Sequence, residues 1–313
     1  MRAVLYRSAA IVLGVAAALL LLETGLWAVS VVAPSMLSRV MTAGGPDDAL
    51  RVLCVGDSHT YGVMVEREEA YPARLQHHLG AAGLPARVWN LGIPGQNSRQ
   101  VLHRLPDYLR RYRPHVLAVF VGTNNGWNVG ERNEERSAWR RLAYRIRIVR
   151  FAQLLVPLEG EPAPPDERAT LVDTSERAWR LGGEVVRNRP AADTAATHDR
   201  IQAWTADDLA AIVELGRAYG AESLLITYPW EIAHVPAVNA AVRAVAQETG
   251  ALLVDSNALL GRQPKLRKKL LFEDVGLHPR PALYDEIASE AAQRIAERVV
   301  PATEAAAANA DVM

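Results

Sequence analysis

The sequence predicts an α/β protein, a three-layer α/β/α sandwich around a mostly parallel sheet of five strands. Three observations predict it. Short Val-, Leu- and Ile-rich runs alternate with amphipathic helical patterns from Arg51 onward. These runs lack strict period-2 alternation, as expected for strands covered on both faces. Strand–helix alternation also requires crossover connections, which are right-handed and place helices on both sides of the sheet. The strands fall at Arg51–Val55, Arg87–Leu91, Val116–Val121, Ser223–Tyr228 and Leu252–Asp255. Helical patterns fall at Glu69–Gly80, Ser98–Arg111, Ala206–Tyr219, Pro236–Thr249 and Pro281–Val299.

The chain of 313 residues has 35 basic and 35 acidic side chains, half of its residues are hydrophobic, and it has one cysteine. The apolar fraction supplies a core. Zero net charge gives no global attraction for phosphates, so no nucleic-acid partner is expected. One cysteine excludes an internal disulfide framework and any cysteine-rich metal site.

Residues 1–33 read as an N-terminal membrane anchor, with a cleaved signal peptide as the alternative. Ala9–Ala33 is an apolar run of about 25 residues, long enough to cross a bilayer as a helix. Arg2 and Arg7 precede it, which places the remainder on the periplasmic or extracellular side. Glu23 interrupts the run at a cost of roughly 2–3 kcal/mol, which the flanking Leu19–Leu22 and Trp27–Val32 stretches absorb. Residues 34–50 read as a linker, 51–300 as the α/β domain, and 301–313 as a disordered tail. Residues 126–199 break the alternation and read as a helical insertion, with helices at Ser137–Leu155 and Thr174–Asn188. Its first part carries Arg132, Arg136, Arg140, Arg141, Arg145, Arg147 and Arg150, either a solvated face or a lid meeting anionic headgroups.

In parallel sheets the chemistry sits at the carboxyl ends of the strands. The first strand ends in Gly56-Asp57-Ser58, where Ser58 is exposed at a turn leading into a helical segment. The second ends in Gly92, whose N–H suits donation to a ligand, and the third in Gly122-Thr123-Asn124-Asn125, whose Asn124 amide suits the same role. Near the C-terminus stands Glu273-Asp274-Val275-Gly276-Leu277-His278. A serine needs a base, usually histidine, with an acid to fix its tautomer.

Taken together these blocks resemble the SGNH hydrolases, also called the GDSL esterase/lipase superfamily. Gly56-Asp57-Ser58, Gly92, Gly122-Thr123-Asn124-Asn125 and His278 occur in the order of that family's four blocks and span nearly all of the region after the linker. Two positions depart: Asn125 stands where the family usually has Asp, and Val275 stands where its acid precedes the histidine by three. The resemblance implies a flavodoxin-like five-stranded sheet and a Ser58–His278–Asp274 triad. Glu273 or a backbone carbonyl is the substitute orienter. It implies an oxyanion hole of the Ser58 N–H, the Gly92 N–H and the Asn124 amide, and an ester substrate hydrolysed through an acyl-enzyme. An acetylated envelope carbohydrate is the first expectation. Lipid acyl hydrolysis and carbohydrate O-acyl transfer are rivals on the same triad, and a glycan-binding module without catalysis is the rival of another class.

Trp127 and Trp230 are expected either to line the substrate mouth or to pack under the insertion, and Asn97 is expected to line the mouth. His59 is expected to be a poor base, because adjacent residues on a turn point apart. His77, His78 and His103 fall on helices, and His115, His198 and His234 form no ligand pattern with them, so no metal is expected. No Walker loop or Gly-x-Gly-x-x-Gly is present, so no nucleotide cofactor is expected either. The sequence sets no oligomeric state.

Overall fold

The computed structural model describes residues 13–14, 17–18, 20–25, 49–126, 170–173, 178–181, 184–186, 195–262, 270–272 and 277–310. Five strands form one parallel sheet: β1 Leu50–Gly56, β2 Ala86–Gly92, β3 Val116–Phe120, then β7 Glu222–Ile226 and β8 Leu252–Val254. Their spatial order is β2-β1-β3-β7-β8, all parallel. Each matches a run expected from the sequence. The central strands are buried throughout: every residue of β3, and all but Arg51 of β1. Burial on both faces is why these runs read as continuous rather than alternating.

The helices are α1 Ser58–Tyr61, α2 Tyr71–Ala81, α3 Ser98–Tyr112, α4 Ala195–Ala218, α5 Val235–Thr249, α6 Ser256–Gly261 and α7 Pro281–Ala310. Helix α7 packs on α2, and α4 packs between α3 and α5. These groups form the two outer layers. Leu75 and Leu79 of α2, Leu105 and Leu109 of α3, and Leu283 and Ile287 of α7 recur at i, i+4 and are fully buried.

Two stretches differ from expectation. Part of the segment read as a helix over Thr174–Asn188 is extended: β5 Ala178–Leu181 and β6 Glu184–Val186 join the preceding β4 Thr170–Asp173 in a separate antiparallel sheet. Leu181 pairs with Glu184 across Gly182-Gly183, a sequence favoured in two-residue reversals. The tail expected to be disordered continues α7 as far as Ala310. Its alanine run has the highest helix propensity of any residue type. The expected helix over Ser137–Leu155, with its arginines, lies outside the described residues. No helix among the described residues is long and apolar enough to cross a membrane. Most of Ala9–Ala33 is not among them.

In this strand order the connections leave β1 and β3 in opposite directions, so a crevice opens beyond their carboxyl ends. Such switch points are where open α/β sheets bind ligands. Ser58 follows β1 and Asn124 follows β3.

Candidate active site

Strand β1 ends at Gly56, with φ +157°. A Cβ there would lie 2.1 Å from the Phe120 carbonyl oxygen and 2.3 Å from Thr60 Oγ1, so only glycine lets β1 and β3 close at this point. Asp57 then N-caps the single turn α1, and its Oδ1 accepts the His59 N–H at 2.9 Å. Ser58 is the first residue of the turn and is half-buried. Its N–H belongs to the first turn, where no intrahelical acceptor exists.

The Asp57 carboxyl is fully buried. Leaving such a group without partners would cost several kcal/mol, and four donors meet it instead. Besides the His59 N–H, His59 Nδ1 lies 3.0 Å from Oδ1. Oδ2 accepts from Tyr228 Oη at 2.5 Å and from Asn124 Nδ2 at 3.2 Å. Burial first, and then the adjacent Asp57, raises the Tyr228 phenol well above its ordinary value, which keeps it protonated and donating. Asn239 of α5 fixes this end of β7 by accepting the Tyr228 N–H and donating to the Tyr228 carbonyl.

The His59 ring sits inward, one part in a hundred exposed, among Phe120, Tyr228, Trp230 and His278. The His278 ring stacks on it at 4.6 Å between centroids and 22° between planes. His278 is thus brought beside the serine turn, although it comes from a loop far along the chain. That loop is held by an antiparallel bridge between Leu271 and Pro279, and by the Phe272 N–H donating to the His278 carbonyl at 2.9 Å. Asp274 and Glu273 lie outside the described residues.

At the end of β2, α1 lies directly against Gly92: a Cβ would meet Tyr61 N at 2.2 Å. The Gly92 N–H donates to Asn90 Oδ1 at 3.0 Å, and Asn90 Nδ2 donates to the Tyr61 carbonyl. This glycine therefore permits a close approach of the serine turn, and its N–H is engaged within the protein. The next glycine of the loop, Gly95, is half-buried and adjoins Gln96, whose carbonyl accepts from Asn124 Nδ2 at 3.3 Å.

Two of the candidates for the mouth are placed otherwise. Asn97 is buried and N-caps α3, accepting the Gln100 N–H at 2.9 Å in a reciprocal capping box. Trp230 is buried against His59, with centroids 5.0 Å apart. A cap and a packed ring use up the exposed surface that substrate contact would need. Trp127 lies outside the described residues.

The sequence alone assigns no role to the Asp57 carboxylate, sets His59 aside as a poor base, and assigns nothing to Tyr228. Tyr228-Pro229-Trp230 at a strand's carboxyl end was the available signal for the last. His59 was visible as a histidine beside Ser58. On an α-helical turn successive side chains diverge by about 100°. A serine facing the crevice edge therefore sends its neighbour toward the interior. Among the described residues no group of three or more His, Cys, Asp or Glu side chains is arranged to hold a metal.

The model of the GDSL-like Lipase/Acylhydrolase family matches residues 54–211, half of the chain. The chain belongs to that family, the SGNH hydrolases its sequence blocks resemble. Within it, the chain is 33% identical over 78 residues to the esterase TesA of Pseudomonas aeruginosa. That match spans 25% of this chain and 39% of the esterase. The crystal structure of the lipase/acylhydrolase from Enterococcus faecalis superposes with a TM-score of 0.51 at 15% identity, covering 80% of this chain and 96% of the other. A crystal structure of TesA covers 79% and 99% at 19% identity, with a TM-score of 0.49.

Proposed function

We propose that the chain is a serine esterase in which Ser58 is the nucleophile and His278 its base. The observation that carries the reading is the His278 ring stacked on the residue that follows Ser58, at the switch point of the sheet. His278 takes the Ser58 hydroxyl proton as Oγ attacks an ester carbonyl. The tetrahedral oxyanion draws on the Ser58 N–H, on a glycine N–H of the β2 loop and on the Asn124 amide. Because the Gly92 N–H is bound to Asn90, Gly95 is the better glycine donor in this reading. His278 then protonates the leaving alcohol, and water releases the acyl group by the reverse proton path. Asp274 remains the acid proposed to orient His278, with Glu273 or a backbone carbonyl as its substitute.

The proposed substrate is an O-acyl ester of an envelope carbohydrate, with a lipid acyl ester or transfer to a sugar alcohol as rivals on the same triad. The proposed location is an anchored domain outside the cytoplasm. The apolar run, Arg2 and Arg7 support it, as do Leu13, Leu20 and Leu21, each at least 69% exposed.

The test is p-nitrophenyl acetate hydrolysis together with labelling by a fluorophosphonate, which reacts with activated serines. Turnover and a single adduct on Ser58, both lost in Ser58→Ala, are expected. Turnover that survives Ser58→Ala contradicts the nucleophile, and absence of both labelling and turnover favours a glycan-binding module.

A further inference from the structure

The family's name spells Gly-Asp-Ser-Leu, and this chain has Gly56-Asp57-Ser58-His59. An imidazole in place of an aliphatic side chain is costly in a buried position unless its polar atoms are used. Here Nδ1 is used, 3.0 Å from Asp57 Oδ1. With Asp57 accepting, Nδ1 carries a proton, and Nε2 is buried without a partner. The ring is therefore oriented from one side only, by Asp57, while Phe120, Tyr228 and Trp230 close around it at centroid distances of 5.3, 4.9 and 5.0 Å. Its remaining neighbour is His278, stacked at 4.6 Å and 22°.

We propose that His59 is a positioning residue for His278: its Asp57-tethered ring is the platform that fixes the plane of the base at the serine turn. The inference rests on the esterase reading of Ser58 and His278. The chain has a reason to need such a platform. The acid that usually stands three residues before the histidine is replaced by Val275. A flat, tethered ring restrains rotation of the base independently of any acid in its own loop. Asp57 in turn is tied to Tyr228 and Asn124, so β1, β3 and β7 all contribute to holding that plane.

The test compares the full chain with His59→Leu and His59→Phe in p-nitrophenyl acetate hydrolysis, with thermal melting as the control for folding. Both variants retain the backbone N–H of residue 59, and with Asn124 and Tyr228 it keeps Asp57 bonded. Leu removes the platform, and Phe keeps a ring without the tether. The expected result is a kcat lowered roughly 10- to 100-fold in the Leu variant with KM little changed, and a Phe variant between Leu and wild type. Fluorophosphonate labelling of Ser58 should slow in the same order. A Leu variant with wild-type kcat overturns the inference, as does a Phe variant no better than Leu. Loss of folding in both assigns His59 to the core alone and also overturns it. Failure of the esterase reading is separately visible, as turnover that survives Ser58→Ala.

Discussion

At position 125 an amide does what a carboxylate would not. Asn125 Oδ1 accepts the Ser98 N–H at 2.9 Å, while its Nδ2 donates to Ser98 Oγ at 2.9 Å and Thr205 Oγ1 at 2.6 Å. The directions are forced, because the Ser98 hydroxyl already donates to Asp208 and the Thr205 hydroxyl to the Ile201 carbonyl. Both hydroxyls can only accept from Asn125. An aspartate there, the usual family residue, would leave two acceptors facing a third. Asn125→Asp should therefore lower stability by about 1–3 kcal/mol, read as a lower midpoint of urea unfolding. An unchanged midpoint would contradict this directional account. The departure at 125 is thus accommodated by Ser98 and Thr205, and it leaves Asn124 free to face Asp57 and Gln96.

Strands β1 and β3 start where another pair of groups meets. The Arg51 N–H donates to His115 Nδ1 at 3.1 Å, and the His115 N–H donates to the Arg51 carbonyl at 2.8 Å. Burial first, and then the nearby Arg51 charge, lowers the His115 imidazole to about 4. The folded chain therefore takes up this proton later than the unfolded chain does on acidification. Its contribution is whole above about 6.5 and is lost as pH falls toward 4. Urea midpoints measured from pH 7 to 4.5 should fall more steeply for wild type than for His115→Asn, and parallel slopes would contradict this.

The same elements explain what the sequence made legible. The five strands were readable because two-sided burial writes itself as continuous Val, Leu and Ile. The strands β5 and β6 were not, because helical periodicity in Thr174–Asn188 outweighed the Gly182-Gly183 reversal signal. The serine, asparagine and histidine blocks were readable as residue types at strand ends and before the last helix. Their hydrogen-bond assignments were not, since nothing local tells that Asn90 engages the Gly92 N–H or that Asn97 caps α3.

Over the whole molecule, three layers bring residues from the first, third and fourth strands of the sheet, and from the loop before the last helix, to one rim. Two further features do not take part in that chemistry. Cys54 is fully buried, and burial pushes its thiol up to about 12, so it stays protonated and unreactive at neutral pH. Asp285 on α7 receives Arg74 at 2.6 Å and His78 at 2.8 Å from α2, clasping the two helices of one layer. Partial burial opposes ionisation of Asp285, but those two partners prevail and lower its value. The central proposal concerns convergence at the rim, where His278 is proposed to activate Ser58. The most direct measurement is the rate of fluorophosphonate labelling at Ser58 in wild type and in His278→Ala, with melting curves to show that both are folded. The account predicts a single adduct on Ser58 and a labelling rate at least about 100-fold lower in the variant. Labelling at an undiminished rate without His278 would contradict it.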